Sequence, residues 1–182
     1  LAEYEDTPEG NLMKNVRAVV AEYERLKIAE RMTRARRNFV KGGSVLLHGN
    51  AAPYGYHLEV ERNDQGRVKG TRLIIYEPEA RVISLIFTWY VIGDEDGKKL
   101  SIRGIAKRLT QMRVPTWADS QGDDPRANNG LKSLKVRRFG EWSKGTVADI
   151  LSNETYAGVW HYSKKKSPPD QWLAVEVPTI VD

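Results

Sequence analysis

Between Asn11 and Lys41 the chain carries neither proline nor glycine. The run is punctuated at both ends. Thr7 can cap a helix, Pro8 suits a first helical position, and Glu9 favours the positive end of the helix dipole. Gly42-Gly43 supplies a stop. These signals predict one helix over the stretch from Thr7 to Gly43, roughly 48 Å long at about 1.5 Å per residue. Such a rod is too long to be an ordinary core helix in a chain of 182 residues, so the remaining residues must build the core without it.

The two halves of this helix differ chemically. In the first, Leu12, Val16, Val19, Tyr23 and Leu26 recur at spacings of four and three and form an apolar seam suited to a protein neighbour. In the second, Lys27, Arg31, Arg34, Arg36, Arg37 and Lys41 accompany a single acid, Glu30. Most of these cations have no carboxylate four residues away, so the half is suited to a polyanion. A solvated basic face on a structural helix is the plainer alternative.

The run Thr7-Pro8-Glu9-Gly10-Asn11-Leu12-Met13, then Ala21-Glu22-Tyr23-Glu24-Arg25, then Ile28-Ala29-Glu30-Arg31 resembles the long helix that ends the catalytic domain of serine recombinases. Met32 stands where that family usually has a small hydroxyl residue. The resemblance implies that the seam is a dimer contact and that the basic half crosses the DNA minor groove at the exchange site. It gives Glu24, Arg25 and Arg31 accessory roles beside the active site or the cleavage point.

Charge is unevenly spread. The net charge is +5, yet the first ten residues hold Glu3, Glu5, Asp6 and Glu9 and no base. That asymmetry points to an anionic partner met at one place. The chain has no cysteine, which excludes disulfides, thiolate chemistry and a zinc finger within these residues. No apolar run approaches the roughly 20 residues of a membrane span. The chain opens on Leu1 rather than Met, and a fragment of a longer protein is expected.

Beyond Gly43, Pro53-Tyr54-Gly55-Tyr56 reads as an ordered loop whose tyrosines cap a small core. The same string resembles the opening of the recombinase domain that follows the catalytic domain in large serine recombinases. The segments 57–60 and 71–76 flank Asp64-Gln65-Gly66 as a hairpin. A helix starting at Pro78 should bury Val82, Ile83, Leu85, Ile86, Trp89 and Tyr90. Ser101 should cap another with Ile102, Ile105, Ala106 and Leu109 inside. From Pro115 to Gly140 the pattern dissolves into a polar insertion ending in Lys132, Lys135, Arg137 and Arg138. Ser143 can cap a short helix through Val147, Ile150 and Leu151. Val159–Tyr162 and Trp172–Val177 read as paired strands with Lys164-Lys165-Lys166 at their turn.

The expected fold class is therefore α+β: a long N-terminal helix, then a small mixed domain with winged helix-turn-helix-like helices and short β-hairpins. Two domains are expected, 1–43 and 44–182, the second with a loop insertion at about 116–141. A winged module would present Ser143, Lys144 and Thr146 to the major groove, with Arg137 and Arg138 on adjacent phosphates and the lysines at 164–166 as a phosphate-binding wing. The intervening turn, about thirty residues, is much longer than a compact helix-turn-helix allows. Trp142 reads as a core anchor. The string Trp142-Ser143, Val147, Ile150-Leu151, Asn153, Tyr156-Ala157-Gly158 resembles the closing motif of the recombinase domain.

Metal and hydrolytic readings find little support, because His48, His57 and His161 are widely spaced and no phosphate-cradling glycine loop occurs. The resemblance implies a site-specific recombinase that integrates, excises or transposes DNA with no nucleotide or metal cofactor. Such a protein would be bacterial or phage-encoded and would act in the cytoplasm at the nucleoid. It implies a double-stranded attachment site as partner, a homodimer or tetramer for the intact protein, and no membrane. The attacking serine is expected to precede Leu1, so the chain should bind half-site DNA without cutting it. A non-enzymatic winged-helix transcription regulator with a dimerising helix fits the same pattern. A single-strand or RNA binder fits less well, because the aromatics sit in apolar stripes rather than on a basic platform.

Overall fold

The computed structural model describes residues 7–47, 52–120, 138–164 and 167–181. The chain divides into two units, one ending at Phe39 and one running from Val40. The architecture is α+β: among the described residues there are one long α-helix, four shorter ones, and two separate antiparallel hairpins.

The first unit is helical. Helix α1 spans Pro8–Lys41, 34 residues, or about 50 Å. Its start follows the predicted cap: Thr7 Oγ1 accepts the N–H of Gly10 at 3.1 Å. Every residue from Asn11 to Arg36 is exposed, including each member of the apolar seam.

The second unit contains the core. Strands β1 (Tyr56–Arg62) and β2 (Val68–Ile75) pair antiparallel with Tyr56 opposite Ile75. Asn63 Oδ1 closes their turn by accepting the N–H groups of Gln65 and Arg67. Helix α2 (Glu77–Val91) carries Pro78 in its first turn, where a missing N–H costs nothing. It buries Ile83, Ile86 and Trp89. Helix α3 (Ile102–Gln111) is capped by Ser101 and buries Ile105, Ala106 and Leu109. A one-turn helix α4 (Trp117–Ser120) precedes α5 (Lys144–Leu151), which Ser143 caps and whose Val147 and Ile150 point inward. Strands β3 (Val159–Tyr162) and β4 (Leu173–Glu176) form the second hairpin. Helices α3 and α5 pack on each other and both meet α2.

Two expectations need correction. Tyr90 is exposed rather than core: it lies one helical step past Trp89, beyond the stripe that α3 and α5 cover. The predicted pattern-free segment is not featureless, because α4 and the turn at Phe139-Gly140 fall inside it. Residues 121–137 of that segment lie outside the described residues.

The tyrosines of the Pro53–Tyr56 loop do cap the core. Tyr54 is buried against Trp142, ring to edge at 5.3 Å, and donates to the carbonyl of Pro115 at 2.9 Å. Tyr56 stacks on Tyr156 at 5.9 Å, and its hydroxyl reaches the carbonyls of Thr155 and Pro178 at 3.1 and 2.6 Å. Burial pushes the phenol of Tyr56 up to about 12 and raises those of Tyr54 and Tyr156 further. Between the two tyrosines Gly55 adopts φ +90° and donates its N–H to the buried carboxylate of Glu79 at 2.7 Å. A Cβ at Gly55 would run into Ile83 Cδ1, which would have to move, and the backbone conformation itself favours glycine.

Candidate nucleic-acid interface

On α1, at about 100° per residue, Leu12, Val16, Val19, Tyr23 and Leu26 fall in the same sector, about 140° wide, as Lys27, Arg31, Arg34 and Arg37. One helix face is thus apolar in its first half and cationic in its second. Arg36 points to the opposite side. Lys27 marks the junction, with its ammonium 5.6 Å from the Tyr23 ring centre and 3.7 Å from Glu30. Glu30 also binds Arg34 at 2.7 Å. One carboxylate is therefore shared between two cations. Arg31, Arg36, Arg37 and Lys41 form no ion pair among the described residues, and Arg37 is half-buried. Arg25 is held by Glu22 at 3.0 Å, and Glu24 is exposed.

In the second unit, Ser143 Oγ accepts the N–H of Thr146 at 3.0 Å and lies 2.9 Å from its hydroxyl. Both hydroxyls are engaged in starting α5. Lys144, in the first turn, is exposed. Arg138 lies just ahead of the α5 cap and is exposed. Arg137, Lys165 and Lys166 lie outside the described residues. Lys164 is placed next to Glu154 Oε2 at 2.9 Å and 5.3 Å from the Trp172 ring centre. The Lys164 hydrogen bond, working against partial desolvation, holds the Glu154 carboxyl below its usual range, and Lys164's charge and His161 add to that effect. His161 Nδ1 shares the same oxygen at 2.9 Å.

Several groups on this surface went unread in the sequence. Arg103 and Lys107 lie one turn apart on the exposed side of α3, where the i, i+4 spacing of cations was a legible signal. Arg113, just past α3, has φ +52°, and Phe139 is 61% exposed; no local pattern announces either. Trp142 is an anchor, as expected: its indole N–H bonds the carbonyl of Val114 at 2.8 Å and its backbone N–H bonds Thr110 Oγ1 at 2.9 Å.

Asp119 fastens the turn ahead of α5. Its Oδ2 accepts the N–H groups of Thr116 and Gly140 and the Thr116 hydroxyl, at 2.8, 3.0 and 2.8 Å. Partial burial raises its carboxyl, but these donors outweigh that and leave the pKa below the ordinary value.

Among the described residues no cluster of three or more His, Cys, Asp or Glu could hold a metal, and no helix is long and apolar enough to cross a membrane. The candidate residues in each unit are thus cations on helix faces and helix starts. Cations of that kind can hold phosphates in register without reading bases.

A family model described as "Recombinase" matches residues 77–182, from α2 to the end of the chain. A protein of Bacillus subtilis (strain 168) bearing the name "Putative DNA recombinase" is 28% identical over 198 aligned residues, covering 98% of this chain and 33% of that protein. A solved structure described as "Sequence Requirements of the Listeria innocua prophage attP site" shares 20% identity at a TM-score of 0.45, over 84% of this chain and 46% of its own. The chain therefore spans a third of the Bacillus relative and under half of the solved chain. With more than half of its residues matched by the family model, the chain belongs to the Recombinase family.

Proposed function

We propose that these residues are the DNA-binding portion of a site-specific serine recombinase, and that they recognise the half-sites of an attachment sequence during integration, excision or transposition. The observation that carries this reading is the single α1 face that passes from exposed apolar side chains to cations sharing one carboxylate, in a chain whose remainder belongs to a DNA-recombining family. The serine type rests on the resemblance of Thr7–Met13, Ala21–Arg25 and Ile28–Arg31 to the helix closing that catalytic domain.

On this reading residues 1–43 close the catalytic domain and 44–182 form the recombinase domain. Leu12, Val16, Val19, Tyr23 and Leu26 form a dimer seam in the intact protein. Lys27, Arg31, Arg34, Arg36, Arg37 and Lys41 lie along the DNA backbone. Ser143, Lys144 and Thr146 approach the major groove as the start of a recognition helix, with Arg137 and Arg138 on neighbouring phosphates and Lys164–Lys166 as a wing. Glu24, Arg25 and Arg31 support the active site. The attacking serine is supplied by residues other than these, so the 182-residue chain binds DNA and does not cleave it. In the intact enzyme, serine attack on a phosphodiester would form a phosphoserine link and release a DNA hydroxyl, which after exchange attacks the link and restores the backbone. No nucleotide or metal is consumed, and the reaction takes place in the cytoplasm, where the DNA is.

The test is selection of bound duplexes from a random pool at moderate salt. Enrichment of one short sequence, protected at both grooves, is expected. Recovery of unenriched random duplex would leave only nonspecific phosphate binding and would end the proposal.

A further inference from the structure

At the end of α3, next to the turn that leads into α5, the described residues enclose a second cationic cavity. Helix α3 ends in a turn in which the N–H of Arg113 bonds the carbonyl of Thr110 and that of Val114 bonds Leu109. The residue closing such a turn is left-handed and is usually glycine. Here it is Arg113, at φ +52°. A strained backbone at a non-glycine residue persists only where its surroundings impose it, and such positions gather at functional sites.

The surroundings do impose it. Gly140 lies so close that a Cβ there would stand 2.9 Å from Arg113 Cα, so the turn 138–141 packs backbone against backbone on the end of α3. Asp119 holds the Gly140 N–H, and Trp142 bonds Thr110 and Val114. The result is a cavity of about 600 Å³ lined by Thr110, Arg113, Arg138, Phe139 and Glu141. Neither guanidinium forms an ion pair among the described residues. Glu141, the acid in the lining, accepts the backbone N–H of Arg138 at 3.2 Å. Beside the two cations, Phe139 presents its ring to solvent, 61% exposed.

Two guanidiniums without an ion pair among the described residues, next to a flat exposed aromatic, complement what one strand of DNA presents: anionic phosphates and a π-face. We propose that Arg113, Arg138 and Phe139 form an auxiliary DNA contact, in which the guanidiniums bind backbone phosphates and the Phe139 ring stacks on a base partly unstacked from the duplex. The inference rests on the reading of the chain as a DNA binder and deepens it. Arg113 keeps its strained position because glycine there would satisfy the turn and lose the charge.

Arg113→Gly is accordingly a clean test. It relieves the backbone, so its melting temperature should not fall below that of the parent chain. Its affinity for the selected duplex should drop several-fold, and the slope of log affinity against log salt should lessen by about 0.9, as for Arg138→Gln. Phe139→Ala should leave the salt slope unchanged, weaken binding, and abolish the fluorescence rise of a purine analogue placed at the contacted step. Parental salt slopes and affinities in both arginine variants would overturn the proposal, as would an unchanged analogue signal in Phe139→Ala. A parent chain that binds no duplex at all would instead overturn the functional reading on which the contact rests.

Discussion

Asp119 shows how much a single carboxylate can fix. Three donors converge on its Oδ2 from Thr116 and Gly140, joining α4 to the turn that leads into α5. Asp119→Asn removes the charge that strengthens these bonds, and a loss of about 1–3 kcal/mol in denaturant unfolding is expected. The pH dependence has a definite sign. The folded pKa is lowered, so the contribution is present above the unfolded value of about 3.9 and disappears as pH falls through the folded value. Asp119→Asn should therefore flatten the acid limb of the stability curve; an unchanged limb would mean that the carboxylate does not tie the turn down. Gly55 supplies a second expectation at this scale. Gly55→Ala meets both φ +90° and Ile83 Cδ1, and should cost at least about 1–3 kcal/mol from the backbone alone. A melting temperature equal to the parent's would refute that account.

At the scale of elements, α1 was readable from its letters because propensity, capping and punctuation agree over more than thirty residues. The buried stripes of α3 and α5 were readable for the same reason, since 3.6-residue periodicity survives without knowledge of the partner. What could not be read depends on neighbours distant in sequence. Tyr90 looked apolar enough for the core, but only the placement of α3 and α5 decides which side of α2 is covered. Glu79 gave no sign of burial, because its partner is the backbone N–H of Gly55, on the far side of the β1–β2 hairpin. Helix α4 is a single turn, too short to show a period. Arg113 carries no mark of a left-handed backbone. Of the candidate interface, the cations of α1 were legible as composition, whereas the pairing of Lys164 with Glu154 required the fold. For α1 the expected experiment is a salt titration. Arg31→Ala combined with Arg34→Ala should lessen the slope of log affinity against log salt by about 1.8, twice the single-contact value. Val19→Asp should leave that slope alone while weakening any self-association seen by sedimentation. A slope indifferent to the arginines would remove α1 from the DNA.

For the molecule as a whole, three buried phenols make stability depend on pH in alkali. Tyr54, Tyr56 and Tyr156 are all raised by burial, Tyr56 to about 12. A raised folded pKa means that their contribution is intact below the unfolded value of about 10 and is lost as pH climbs through the folded values. The part of the phenolate absorbance that belongs to these three rings should therefore appear only together with the loss of circular dichroism, above about pH 10. Full phenolate absorbance with an intact fold would show that these rings are not sealed. The same hydroxyls carry a kinetic consequence. The tyrosine at 54 bonds a carbonyl 61 positions later, and the one at 56 bonds a carbonyl 122 positions later. During synthesis, then, the hydroxyl at 56 cannot complete its bonds until Pro178 has emerged from the ribosome.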